Sequence, residues 1–211
     1  MRRPRFIAEQ ARHARGPLGR FIAFIMARET WAENLRAINA LNIQPGDHIL
    51  DIGCGHGRAL AELARRAPTG HIAGVDPSDL MAEIAVDRNR ALVKAGRLEV
   101  AISTATDLPF PDAGFDAALC VHVLYFWTDL HTGFREIARV LKPGARLALV
   151  FRSTHHAATV QAFPPDVYRF PNLAEVETAL AETGFEVEAA SAETPGAKPH
   201  LLVAIRGNSQ S

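Results

Sequence analysis

Along this chain, short apolar runs alternate with stretches in which apolar residues recur every three to four positions. The run His48–Gly53 reads as a buried strand and Arg58–Ala67 as a helix. A second strand is expected at Ile72–Asp76, followed by a helix over Leu80–Lys94 with Ser78 or Asp79 as its cap. Leu98–Ile102, Asp116–Val121 and Leu147–Phe151 read as strands, with Asp129–Leu141 helical before the last of them. A helix over Leu173–Thr183 stops at Gly184, and Phe185–Ala190 and His200–Ile205 complete seven strands. A helical region over roughly 20–41 precedes them all.

Continuous apolar strands separated by amphipathic helices imply a mostly parallel sheet covered on both faces. The last two strands are joined only by the Pro- and Gly-bearing loop Glu193–Pro199, too short for a helical crossover, so this pair is expected to be antiparallel. The expected fold class is therefore α/β: a Rossmann-like, doubly wound, seven-stranded sheet with an antiparallel last strand pair. No repeat, linker or low-complexity segment divides the 211 residues, which read as one domain.

Composition narrows the function by exclusion. The 23 basic and 23 acidic residues cancel, whereas a nucleic-acid binder usually carries a basic surplus. Cys54 and Cys120 have no CxxC spacing and no clustered histidines, so neither zinc nor a disulfide framework is expected, and two thiols fit a reducing cytoplasm. The N-terminal stretch is Arg-rich and runs into the apolar segment Phe21–Ala27. That segment is too short to span a bilayer and comes too late for a secretory signal; a surface helix is preferred to a transit peptide.

The chemistry concentrates where the first strand turns into its helix. Ile49-Leu50-Asp51-Ile52-Gly53-Cys54-Gly55-His56-Gly57 puts three glycines on that turn, where positive φ is permitted and a ligand can approach the backbone. Nineteen residues beyond Gly57, Asp76 ends the second strand, where a carboxylate can hold both hydroxyls of a ribose. A dinucleotide fingerprint would place its third glycine at 58, which is Arg58. Asp51, two residues before the first glycine, suits an ammonium group.

The run Asp51–Gly57 resembles the first motif of class I S-adenosylmethionine (SAM)-dependent methyltransferases, in the small-molecule branch called methyltransferase type 11. Val75-Asp76-Pro77-Ser78 with Met81, the stretch Asp107–Asp112 with Phe115-Asp116, and Glu136–Ala145 resemble that family's later motifs in order. The resemblance covers about residues 42–151. It implies that Asp51, Gly53, Cys54, Gly55 and Gly57 hold the methionine portion of SAM, and that Asp76 and Pro77 hold the ribose. Met81 would lie near the adenine, and Cys120 or Val121 would offer a carbonyl to the amino group. Thr104-Ala105 stand where the family commonly has an acid for the adenine amino group. The chain would then divide into an N-terminal helical lid (1–41), a SAM-binding core (42–151) and a substrate-side loop, helix and last two strands (152–211).

Methyl transfer from a sulfonium starts from an activated leaving group, so alignment supplies most of the catalysis and a base is optional. His122, directly after the fourth strand, is the candidate base, with Tyr125, Phe126 and Trp127 following it. Tyr125, His155, Phe163 and Tyr168 are candidates for binding the acceptor, His156 follows the fifth strand with His155 and can also reach the pocket, and a lid is expected from the N-terminal helix with Gly16–Gly19 and from the loop Ser153–Phe170 with Phe163, Tyr168 and Phe170. No Asn/Asp-Pro-Pro-aromatic turn and no Pro-Cys nucleophile is present, which points away from nucleic-acid substrates. A small organic acceptor is expected, with SAM as cofactor, S-adenosylhomocysteine as its product and no metal. A nicotinamide-dependent oxidoreductase, a SAM-binding regulator without catalysis and an aminopropyl transferase are the rival readings. The sequence does not determine the acceptor or the oligomeric state.

Overall fold

Seven strands join in one sheet: β1 (His48–Ile52), β2 (His71–Asp76), β3 (Leu98–Ile102), β4 (Phe115–Val121), β5 (Leu141–Phe151), β6 (Phe185–Ala190) and β7 (His200–Arg206). Their order in the computed structural model is β3-β2-β1-β4-β5-β7-β6. The structure describes residues 4–190 and 198–208, without the side chains of residues 11, 22–28 and 157–159. Most of the loop Glu193–Pro199 lies outside the described residues, as do the side chains of most of Phe21–Ala27. Strands β1 to β5 run parallel, whereas β7 slots between β5 and β6 and is antiparallel to both.

Alternation along each strand builds two cores. Ile49, Ile72, Leu119 and Val150 pack on one face with helix α3 (Trp31–Ala40) and helix α4 (Arg58–Arg66). Leu50, Val75, Cys120 and Leu149 pack on the other with α7 (Leu130–Val140) and α9 (Leu173–Glu182). A strand buried on both sides has no polar face to expose, which is why its sequence reads as an unbroken apolar run.

Three expectations are corrected. The helical region expected at 20–41 begins earlier and is three helices, α1 (Arg5–Arg12), α2 (Gly16–Glu29) and α3, with His13 in extended geometry ending the first. The helix expected over Leu80–Lys94 is two, α5 (Asp79–Arg88) and α6 (Arg90–Lys94). Asn89 between them leaves helical geometry, and its buried amide donates to the carbonyls of Gly57 (2.9 Å) and Ala85 (2.8 Å). Competition of an Asn side chain for backbone carbonyls is what breaks the helix. The third concerns β5, which starts at Leu141: Leu141 pairs with Phe115, the chain loops out through Gly144 (φ 80°), and pairing resumes at Arg146 with Ala117. Helix α8 (Ala157–Ala162) and a single 3₁₀ turn at Leu124–Phe126 were not expected.

Capping agrees with the sequence where the signals are local. Ser78 caps α5, accepting the Met81 N–H, and Asn172 and Glu175 form a reciprocal capping box on α9. Among the described residues no helix is long and apolar enough to cross a membrane.

Candidate active site

A cavity of about 770 Å³ opens at the carboxyl ends of β1, β2 and β4. Its floor at one end is the turn after β1. Gly53 and Cys54 donate their N–H groups to the Val75 carbonyl at 2.8 and 2.9 Å, locking the turn to β2. A Cβ on Gly53 (φ 75°) would lie 2.1 Å from a methyl of Val123, so no side chain fits there. Gly57 (φ 74°) is equally closed, since a Cβ would meet Ala85 at 2.7 Å.

Two carboxyl groups face this end. Asp51 is 3% exposed, and burial, with the nearby Asp76 charge, pushes its pKa up to about 7. Burial also raises Asp76, although the N–H groups of Ser78 (2.9 Å) and Gly55 (3.0 Å) donate to its oxygens and oppose the shift. A pair of buried acids needs a counter-charge or hydroxyl donors, which is the donor set that a cationic amino group and a ribose diol would complete. The residues present therefore fit SAM. Ser78 Oγ donates to the Ala14 carbonyl at 2.7 Å and ties the α1–α2 connection over this end.

The other end is aromatic. Tyr125, Phe126, Phe163, Tyr168 and Phe170 line it and touch one another, with ring centroids 4.5 Å apart for Phe163–Tyr168 and 4.8 Å for both Tyr125–Phe170 and Phe126–Tyr168. Trp127 reaches the cavity but also sits edge-on to Phe134, inside the core. His122 stands between the two ends. It lies in the left-handed region (φ 60°), which costs a non-glycine residue about 1–3 kcal/mol and persists only where its surroundings enforce it. Its N–H is held by the Val150 carbonyl at 2.8 Å. The imidazole Nε2 lies 2.6 Å from Glu33 Oε2, and Nδ1 lies 2.9 Å from the Tyr125 hydroxyl.

Most of the residues singled out from the sequence meet at this cavity: Asp51, Gly53, Cys54, Gly55, Asp76, Pro77, Met81, Thr104, Ala105, Val121, His122, Tyr125, Phe163 and Tyr168 all line it. Four do not. Gly57 is closed off by α5, the Cys120 side chain lies in the core beneath the sheet, His155 is exposed on the loop after β5, and His156 is buried edge-on against His200. Residues of the α1–α2 connection and of the start of α3 wall the cavity and Gly16–Gly19 do not, whereas Phe163, Tyr168 and Phe170 line it. Sequence reasoning missed Glu33, Trp31 and Arg152. Glu33 reads as an ordinary first-turn acid of a helix, with no local signal of its partner. Among the described residues, no three His, Cys, Asp or Glu side chains gather as a metal-ligand set.

A doubly wound sheet with a glycine turn at the end of β1 and an acid at the end of β2 defines a protein that binds a nucleoside-containing cofactor at the carboxyl edge of its sheet. Residues 50–149 match the model of a methyltransferase domain, and the chain belongs to this methyltransferase family. It is 31% identical to an uncharacterized methyltransferase, YdaC, of Bacillus subtilis over 61% of this chain and 69% of that protein. It is 34% identical to the O-methyltransferase resE of Aspergillus sclerotiorum over 70% of this chain and 58% of that one. The chain spans 46% to 59% of the length of the curated O-methyltransferases that it matches. In fold it is similar to a geranyl diphosphate methyltransferase solved with SAM, with a TM-score of 0.72 at 18% identity over 94% of both chains.

Proposed function

We propose that the protein transfers the methyl group of SAM to a hydroxyl oxygen of a small, planar aromatic acceptor, with His122 as the base that receives the hydroxyl proton. The observation that carries this reading is the cavity's division: two buried carboxyls and the glycine turn at one end, aromatic rings at the other, and the His122 imidazole bonded to Tyr125 of the aromatic end and next in sequence to Val123, which packs on Gly53. SAM, when bound, supplies a methyl carbon whose bond to sulfur breaks as the acceptor oxygen bonds to it, the electron pair leaving on S-adenosylhomocysteine. Asp51 holds the amino group and Asp76 the ribose hydroxyls; Pro77, Met81, Thr104 and Ala105 enclose the adenine, and a carbonyl near Val121 takes part in holding the amino group. The similarity to named O-methyltransferases supports oxygen as the methylated atom.

Two measurements test the reading. SAM and S-adenosylhomocysteine are expected to raise the melting temperature while NADH does not, and labelled methyl from SAM is expected on phenols in a panel that also offers thiols and amines. Stabilisation by NADH alone would overturn the cofactor; label only on thiols or amines would overturn the acceptor. Asp76→Ala removes two charge-assisted hydrogen bonds to the ribose, each worth about 1.5–3 kcal/mol at most. Calorimetry is expected to show SAM binding at least tenfold weaker, and an unchanged dissociation constant in a folded variant would mean that the diol is held elsewhere.

A further inference from the structure

We propose that Glu33, His122 and Tyr125 form one proton relay, in which Glu33 positions the imidazole and the Tyr125 hydroxyl carries the acceptor's proton to it. The inference rests on the base reading of His122. Glu33 lies in the first turn of α3, 89 residues from His122 in sequence, yet its carboxylate meets Nε2 at 2.6 Å and both side chains are shielded from solvent. Burial alone would raise the Glu33 pKa, but the hydrogen bond from His122 and the charges of His122, Arg152 and Arg36 outweigh it and hold the carboxyl below its usual value. An ionised carboxylate only accepts hydrogen bonds, so Nε2 carries the hydrogen and Nδ1 the lone pair.

Nδ1 is already engaged. The Tyr125 oxygen accepts the Arg152 backbone N–H at 2.6 Å, which directs its own proton to Nδ1 at 2.9 Å. With both ring nitrogens occupied, the acceptor cannot reach the imidazole without breaking a bond that the fold provides. The Tyr125 oxygen, by contrast, has a second lone pair, and the residue lines the cavity. The acceptor hydroxyl proton therefore moves to that oxygen as the Tyr125 proton moves to Nδ1. Tyr125 ends neutral, His122 becomes an imidazolium, and the Glu33 charge stabilises it. Burial pushes the Tyr125 phenol well above its usual pKa, so no tyrosinate accumulates and the two transfers are coupled. The charged and titratable groups facing the relay are Glu33 and Arg36 from α3, Arg152 after β5, and Tyr168.

The test uses the full chain with S-adenosylhomocysteine bound and nitrogen-15 spectra of the histidine rings, for the parent, Glu33→Gln and Tyr125→Phe. In the parent, His122 is expected as the Nε2–H form. In Glu33→Gln the Nε2 resonance is expected to shift, because the charged partner of its hydrogen is gone; in Tyr125→Phe the Nδ1 resonance is expected to shift while S-adenosylhomocysteine affinity stays within about twofold, since the hydroxyl belongs to the acceptor end of the cavity. These spectra decide the geometry whichever phenol is methylated. Rates with 1-naphthol, a neutral phenol at pH 7, are expected to fall at least tenfold in both variants, as for loss of a proton-transfer partner. Rates with 2-hydroxy-1,4-naphthoquinone, already an anion at that pH, are expected to fall less than those with 1-naphthol. A parent-like Nε2 resonance and rate in Glu33→Gln, or a parent-like Nδ1 resonance and rate in Tyr125→Phe, overturns the relay. A parent-like 1-naphthol rate in His122→Gln overturns instead the base reading beneath it.

Discussion

SAM binding by this protein is expected to release close to one proton at pH 6 and almost none at pH 8. Asp51 is buried against Asp76, and its pKa lies near 7 against 3.8 for a free aspartate. Between those values the folded protein keeps a proton that the unfolded chain gives up. The Asp51 contribution to the stability of the ligand-free protein is therefore most favourable at and below about pH 4 and falls as pH rises towards 7. A shift of about three units corresponds to roughly 4 kcal/mol, as an order of magnitude. A cationic amino group placed beside the carboxyl reverses the balance by favouring the charged form. Binding then expels the proton, and affinity rises with pH up to about 7 before levelling off. Calorimetry of SAM in buffers of different ionisation enthalpy counts the protons directly. Asp51→Asn keeps the shape and removes the titration. It is expected to melt higher than the parent at pH 8 without ligand, and to bind SAM about 10–100-fold more weakly, the size of a lost hydrogen bond to a charged group. Proton release at pH 6 that persists in Asp51→Asn would assign it to another group and defeat this account.

The second large effect is on turnover. His122→Ala is expected to slow methylation of a neutral phenol by about 10²–10⁴-fold at saturating SAM, the usual cost of removing a general base, with SAM affinity nearly unchanged. The loss is expected to be largest for acceptors that must give up a proton and far smaller for one already ionised at pH 7. A packing role predicts the opposite pattern, with lost stability and little lost rate. The left-handed backbone at His122 offers a control: His122→Gly relieves the strained φ yet also deletes the imidazole. It is expected to be slow without being unstable. Turnover within about fivefold of the parent in either variant would remove His122 from the chemistry, since a base contributes far more than that.

Features whose causes are local could be read from the order of residues alone. Seven strands were legible because a strand buried on both faces shows as a run of apolar residues, and Asp51, Gly53, Gly55 and Asp76 were legible because they sit on one strand, its turn and the next strand end. Where two elements meet through distant residues, only the tertiary structure decided. The break at Asn89 depends on a carbonyl 32 residues away, at Gly57, and no helical periodicity carries that information. That α5 packs over Gly57 and that the alternation of β4 turns the Cys120 side chain into the core also depend on the packing of distant elements. The placement of β7 between β5 and β6 is a matter of sheet pairing, not of pattern. The raised pKa of Asp51 and the setting of His122 between Glu33 and Tyr125 likewise arise from burial and from side chains that the fold brings together, because electrostatics and hydrogen bonding act through space whereas periodicity acts along the chain.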